Sequence, residues 1–267
     1  MLKQRVITAL VLAALVLLAL FAEQILYWRV LITALVVIGF WEWLRFCGLQ
    51  HILAQAIAYL GFAVLLWSLQ SGLVSLPMLL PFVCLIWLLL FAFTLSDAVD
   101  FLHQQFVKVC TGMIILSVAG SLIIAFREIE YGRYWILAFL ISVFAADIGA
   151  YFVGRRFGKT KLSPKVSPNK TVEGLVGGLL FALLLATPIA FSLFDATTAW
   201  KLLLIVCVTV LTSVLGDLFI SKHKRYAGLK DSSQILPGHG GVLDRVDSLL
   251  PAAPFFVTGL ILLGFWS

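Results

Sequence analysis

Acidic residues are scarce in this sequence, and four of them fall close together near its C-terminal end. Of the 13 aspartates and glutamates in 267 residues, Asp217, Asp231, Asp244 and Asp247 lie within one 31-residue window. The same window holds five lysines and arginines and two histidines. Carboxylate oxygens are the ligands that Mg²⁺ prefers, and lysines and arginines bind phosphate groups. The window is therefore typical of a site for a phosphate-bearing substrate and a metal ion.

Asp217 stands out because it lies near the end of an apolar run that starts at Leu202. A carboxylate inside a bilayer costs at least ~2.5 kcal/mol unless a partner compensates for it. Ser213, Asp217, Ser221 and Lys224 recur at spacings of four, four and three, so one face of a helix would carry all four. Two interpretations are open. Asp217 forms a salt bridge with Lys224 or with another helix, or it binds a cation at the base of a site.

The stretch from Pro237 to Gly241 reads PGHGG, with three glycines in four positions. Glycines permit backbone angles that other residues avoid, and the exposed N–H groups of such a turn can bind phosphate oxygens. A simple turn between two helices would look similar. Asp244 and Asp247 follow at i and i+3, on either side of Arg245, where the last apolar span opens. They could cap that helix, or they could contact a metal ion or the substrate.

A second polar loop, from Gly154 to Glu173, carries six basic residues and follows Asp147, an acid inside another apolar run. The cations could serve only to fix the topology or to bind anionic lipids. Asp147, however, needs a polar partner within the membrane. A metal ion or a lysine near Asp217 would provide one.

The elements that carry these residues are apolar runs. The chain is 62% hydrophobic and 12% charged, with a mean hydropathy of +1.09, which excludes a water-soluble fold. The runs are long enough to cross a bilayer and do not alternate like the strands of a barrel, so we expect an all-α polytopic membrane protein. Nine candidate spans lie near residues 5–22, 30–46, 52–71, 75–95, 106–125, 134–154, 173–194, 199–220 and 248–266. We divide the chain into N-terminal transmembrane helices, 1–130, and C-terminal transmembrane helices with catalytic loops, 131–267. Gly174 and Gly178 predict close packing of the seventh span on a neighbouring helix.

The basic residues orient these spans. In the nine-span arrangement 15 of the 19 lysines and arginines fall on one side, together with both long polar loops. Cytoplasmic loops retain basic residues, so we expect a multi-pass protein of the inner (plasma) membrane whose site faces the cytoplasm. Intramembrane acids also occur in ion-coupled transporters, which is the alternative function. A transporter would distribute polar residues through the membrane depth, whereas here the charges gather toward one face.

Residues 221–247, the signature segment, read SKHKRYAGLKDSSQILPGHGGVLDRVD. This segment resembles the signature of the phosphatidate cytidylyltransferases at every fixed polar position, with His223 where the family usually has an apolar residue. The stretches 147–151 and 167–174 resemble the polar segment that precedes the signature in that family. The first 130 residues carry no motif that we can match.

The resemblance implies that the chain transfers a cytidylyl group from CTP to phosphatidic acid, giving CDP-diacylglycerol and pyrophosphate for phospholipid biosynthesis. It implies a requirement for Mg²⁺, leaves room for a second metal ion, and makes Asp217 and Asp244 the metal ligands. Asp247, Lys230 and Asp231 would complete the catalytic set. The substrate-binding residues would be Ser221, Lys224, Arg225, His239, Gly240, Gly241 and Arg245, joined by Lys170 and Asp147 of the other loop. Beyond CTP, phosphatidic acid and membrane lipids, a homodimer is an open expectation, and we expect no nucleic-acid partner.

Overall fold

The computed structural model describes residues 2–95 and 104–266 of the chain. Helices make up nearly all of the regular structure in these ranges. In chain order they are α1 (Leu2–Phe21), α2 (Ile25–Cys47), α3 (Ile52–Gln70), α4 (Leu76–Leu95), α5 (Gln105–Phe126), α6 (Gly132–Phe157), α7 (Val172–Leu193), α8 (Ala196–Tyr226), α9 (Leu243–Val246) and α10 (Leu249–Leu262). Between α6 and α7, β1 (Lys161–Ser163) and β2 (Ser167–Thr171) pair antiparallel. Residues 158–171 are called the hairpin segment, and residues 227–242, between α8 and α9, the signature loop.

Eight segments in the described ranges are long and apolar enough to cross a bilayer: α2 to α8, and α9 together with α10. The apolar part of α1, Val6–Phe21, is shorter. The expected all-α polytopic fold is therefore confirmed. The expected boundaries hold to within several residues, with one instructive exception in α8.

Helix α8 continues to Tyr226, although its apolar run ends near residue 220. The polar residues Ser221 to Lys224 continue the helix and are buried rather than exposed. Burial is possible because α2 packs against this end of α8, where the rings of Trp43 and His223 are 5.0 Å apart. The sequence-based boundary rests on hydropathy alone, so it misses the polar end of α8 that is buried within the protein. His223, the one departure from the family signature, occupies an aromatic packing position beside Phe219.

Helices α6 and α7 pack closely through small residues, as Gly174 and Gly178 predict. A Cβ atom at Gly178 would lie 2.5 Å from the Ala146 carbonyl oxygen, and one at Gly174 would lie 3.0 Å from the Ala150 carbonyl oxygen. Only glycine allows this approach of the two backbones. The two closely packed helices therefore form the frame from which the hairpin segment extends.

Candidate active site

Asp217 lies on α8 in the middle of a small polar cluster. Its Oδ1 accepts a hydrogen bond from Ser221 Oγ at 3.0 Å, one helical turn further along. Its Oδ2 lies 2.6 Å from Nζ of Lys170, which β2 supplies. The predicted polar face of α8 is therefore present. The salt bridge links α8 to the hairpin segment, whereas Lys224 has another partner.

Lys224 pairs with Asp244 instead, with 2.6 Å between Nζ and Oδ1. The other oxygen of Asp244, Oδ2, accepts hydrogen bonds from Ser232 N at 2.8 Å, Ser232 Oγ at 2.9 Å and Gly241 N at 2.9 Å. Both charged side chains are nearly inaccessible, at 9% and 6% exposure. Asp244, on α9, therefore holds the signature loop and also pairs with α8.

The two ion pairs belong to one electrostatic cluster. Asp147 of α6 is exposed at the surface, and its charge interacts with those of Lys170 and Asp217 without a described hydrogen bond or ion pair. Asp247 is buried and lies within the field of Asp217, Lys224 and Lys170. Its Oδ1 accepts a hydrogen bond from the N–H of the following residue at 2.8 Å. The two polar loops, which the sequence could not pair, thus meet at α8.

The PGHGG stretch forms the tight turn that its glycines predict. Gly238 and Gly240 have φ angles of 76° and 86°, in the left-handed region that favours glycine. A Cβ atom at Gly240 would lie 2.7 Å from Asp244 Oδ2. The His239 carbonyl oxygen accepts two hydrogen bonds from Arg245, at 3.1 Å from Nε and 2.7 Å from Nη2. Arg245 therefore fixes the turn, and it also lies close enough to Asp147 to act on it electrostatically.

Two polar atoms of this turn differ in whether they have a hydrogen-bond partner. Gly241 N, an expected phosphate donor, donates to Asp244 here. The Nδ1 atom of His239 is buried and has no hydrogen-bond partner within residues 2–95 and 104–266. The remaining predicted residues Arg225, Lys230 and Asp231 are exposed around the loop. Asp231 flanks Gly240, because a Cβ atom there would lie 3.4 Å from Asp231 Cβ.

Glu42, on α2, is the contact residue that sequence reasoning missed. Its side chain is fully buried and accepts four hydrogen bonds from the signature segment. The donors are Val242 N at 2.9 Å, Leu243 N at 2.6 Å, Ser232 Oγ at 3.0 Å and Ser233 Oγ. An acid within an apolar run was the available signal, since such residues are rare and mark functional positions.

Two more residues of the first 130 reach the same loop. Arg45 Nη1 donates to the Ser232 carbonyl oxygen at 2.8 Å, and Thr8 Oγ1 of α1 donates to the Pro237 carbonyl oxygen at 3.1 Å. The part of the chain that carries no recognisable motif therefore contacts the part that carries the signature.

The chemistry of the cluster suits Mg²⁺, since carboxylate oxygens are its preferred ligands. Each predicted ligand already holds a cation, the ammonium group of Lys170 at Asp217 and that of Lys224 at Asp244. Within residues 2–95 and 104–266 no three His, Cys, Asp or Glu side chains surround a common metal position. The donor types fit the metal, and the arrangement brings lysines and carboxylates together as phosphate chemistry requires.

Similarity to known proteins extends over almost the whole chain. Residues 3–263 match the model of the cytidylyltransferase family. A phosphatidate cytidylyltransferase of Haemophilus influenzae is 41% identical, over 96% of this chain and 97% of the relative. Proteins of the same name from Pseudomonas aeruginosa and Bacillus subtilis are 38% and 35% identical, covering 96% and 95% of both chains.

Proposed function

This chain belongs to the cytidylyltransferase family, and we infer from that membership that it transfers a cytidylyl group from CTP to phosphatidic acid. The products are CDP-diacylglycerol and pyrophosphate. The observation that carries this function is similarity over nearly the full length to phosphatidate cytidylyltransferases. It decides against the alternative of an ion-coupled transporter.

The described side chains suit this reaction. A phosphate oxygen of phosphatidic acid attacks the α-phosphorus of CTP, and the bond from that phosphorus to the pyrophosphate oxygen breaks. Both reactants are anions, so cationic groups must reduce their repulsion and neutralise charge on the leaving group. Lys170, Lys224 and Arg245 converge on the site from three different elements and would do so. The phosphate monoester is already ionised near neutral pH, so the mechanism requires no general base.

The metal assignment is part of the proposal. Asp217 and Asp244 would hold Mg²⁺, which when bound supplies positive charge to the phosphate oxygens. The buried Asp247, whose charge interacts with those of Asp217, Lys224 and Lys170, would belong to the same site. A second metal ion and a homodimer stay predictions.

The location of the site explains why the enzyme is a membrane protein. The acyl chains of phosphatidic acid remain in the bilayer while CTP arrives from the water, so the site must lie at a membrane face. We propose that this face is cytoplasmic, because 15 of the 19 basic residues fall on the side of the two polar loops. Single cysteines at the exposed positions Asn169 and Gln234, in a cysteine-free background, should label only from the cytoplasmic side. Labelling from the outside would contradict the orientation.

The direct test is an assay of purified protein in detergent with labelled CTP, phosphatidic acid and Mg²⁺. We expect lipid-linked cytidylate and pyrophosphate in equal amounts, and no lipid product when diacylglycerol replaces phosphatidic acid. Absence of labelled lipid from folded protein would overturn the function.

A further inference from the structure

Glu42 is a buried acid whose four described hydrogen-bond partners all belong to residues 232–243. Burying a carboxylate is costly unless hydrogen bonds or a counter-charge compensate for it. No described ion pair includes Glu42, and its donors are two backbone N–H groups and two hydroxyls. A purely apolar helix would bury this surface at lower cost. The presence of a carboxylate here therefore indicates that the position of the loop must be fixed precisely.

Ser232 connects Glu42 to the site. Its Oγ lies 3.0 Å from Glu42 Oε2 and 2.9 Å from Asp244 Oδ2. A hydroxyl has a single proton, so it can donate to only one of the two carboxylates at a time. Ser232 N adds a second bond to Asp244 Oδ2, at 2.8 Å. A continuous chain of contacts thus runs from Glu42 through Ser232 to Asp244 and on to Lys224.

The same turn of α2 holds the loop at two further points. Arg45, three residues beyond Glu42 and on the same helix face, donates to the Ser232 carbonyl oxygen. Gly241 approaches so closely that a Cβ atom would lie 2.3 Å from Glu42 Oε1 and 2.0 Å from Ser232 Oγ. The acid, the serine and the glycine therefore fit together as one unit.

We propose that Glu42 is a positioning residue for cytidylyl transfer, which acts through Ser232 and the backbone of Val242 and Leu243 to orient Asp244. Glu42 itself touches neither substrate nor reacting atoms. The proposal rests on the proposed function, and it extends the site to a helix outside the signature segment. A structural anchor without this role would stabilise the fold but leave the turnover of folded enzyme unchanged.

The test variant is Glu42→Gln, which keeps the size and replaces one acceptor oxygen by an NH₂ group that faces N–H or hydroxyl donors. Loss of a residue that orients a ligand typically costs about 10- to 100-fold in activity. We expect such a fall in kcat per folded enzyme, with a smaller change in the KM for phosphatidic acid. The matched control is Glu128→Gln, which changes an exposed acid paired with Arg29 away from the site. It should retain the wild-type kcat.

A double-mutant cycle with Ser232→Ala tests the route of action. If Glu42 acts through Ser232, the double variant should lose much less kcat than the product of the two single losses. Multiplicative losses, or an unchanged kcat with a lower Tm, would overturn the proposal.

Ser233→Ala keeps the proposal testable if Glu42→Gln does not fold. Ser233 Oγ donates to Glu42, and its only other described contact is the N–H of Ile235. We expect a severalfold fall in kcat, and an unchanged kcat would count against the positioning role. The wild-type assay separates the two levels of the argument. An inactive wild type would refute the function, whereas an active wild type with unaffected variants would refute only the role of Glu42.

Discussion

The hairpin segment and the signature loop each lie beside a lysine–carboxylate pair at α8, yet they are held in place in different ways. The hairpin segment is fixed by its sequence neighbours. Glu173 accepts hydrogen bonds from Lys159 N and Thr160 N, both at 3.1 Å, and Thr171 Oγ1 caps α7 by accepting from Gly174 N at 3.1 Å. The signature loop is held by Asp244 and Arg245 of α9, and also by Glu42 and other residues that lie 187 to 229 positions earlier in the chain.

The base of the hairpin segment is thus fixed by contacts that are close in sequence, whereas the signature loop also needs contacts that are distant in sequence. The contacts of Glu173 and Thr171 that fix the base of the hairpin segment lie within the unit formed by α6, the hairpin segment and α7. The signature loop additionally depends on α1 and α2, since Thr8, Glu42 and Arg45 of these helices form hydrogen bonds with it. Changes in the N-terminal helices should therefore affect the signature loop and spare the hairpin segment.

The largest effects are expected at the two acids that receive the lysines. Asp217→Asn and Asp244→Asn should each lower turnover by several orders of magnitude, because the charge of the Mg²⁺ that we propose at these acids is worth several kcal/mol and each ~1.4 kcal/mol is tenfold in rate. Their stabilities should differ. Asp244→Asn leaves the nearly inaccessible Lys224 unpaired, at a cost of roughly 3 to 5 kcal/mol, whereas Lys170 is 24% exposed and would lose less.

Turnover and Tm measured on the same purified variants across a Mg²⁺ titration would check this prediction. Near-normal turnover at low Mg²⁺ in either variant would contradict the metal-ligand assignment. A lower Tm for Asp217→Asn than for Asp244→Asn would contradict the contrast between the two regions.

The sequence predicts the candidate site residues better than it predicts the contacts that hold them in place. The clustering of acids and the glycine-rich turn predict Asp217, Asp244 and Gly240 as candidate site residues, and hydropathy predicts the spans. The pairing of Lys170 with Asp217 was left open, because helix periodicity relates residues only within one element. The contacts of Glu42 were not predicted for the same reason, since its partners lie about 190 residues away and no local sequence pattern indicates them.

Inserting two glycines into each region tests the contrast directly. An insertion between Pro164 and Lys165, at the turn of the hairpin, should leave turnover within a few-fold of wild type, because exposed hairpin turns tolerate added length. The same insertion after Gln234 would displace Ser232 and Ser233 from Glu42 and Asp244. It should lower turnover at least about tenfold, the effect of ~1.4 kcal/mol. Equal effects of the two insertions, at equal expression, would remove the contrast.

Glu173→Ala should have a smaller effect on turnover. The variant frees the N–H groups of Lys159 and Thr160 at the base of the hairpin, which loosens the segment that carries Lys170. We expect a severalfold fall in kcat/KM together with a lower Tm, and a fall of the same size when Glu42→Gln is present, because the two acids share no partners. A fall in Tm alone would show that the hairpin base stabilises the fold without positioning Lys170.

The smallest effect is expected at Asp195, the matched control for Glu173. Asp195 caps α8 at its other end, and hydrogen bonds from the side chain and N–H of Thr198 and from Thr197 N lower its pKa. A carboxyl group with a lowered pKa contributes stability above its unfolded pKa of about 3.9, and this contribution is lost as the pH falls through the folded value. Asp195→Ala should therefore lower Tm at pH 7, with the difference from wild type shrinking below about pH 4. Turnover should not change, because the capped end lies 22 residues, or about 33 Å along α8, from Asp217. A loss of turnover as large as that of Glu173→Ala would mean that the loss of a helix cap anywhere in the fold affects the site. The effect of Glu173→Ala would then be no evidence that the hairpin segment positions Lys170.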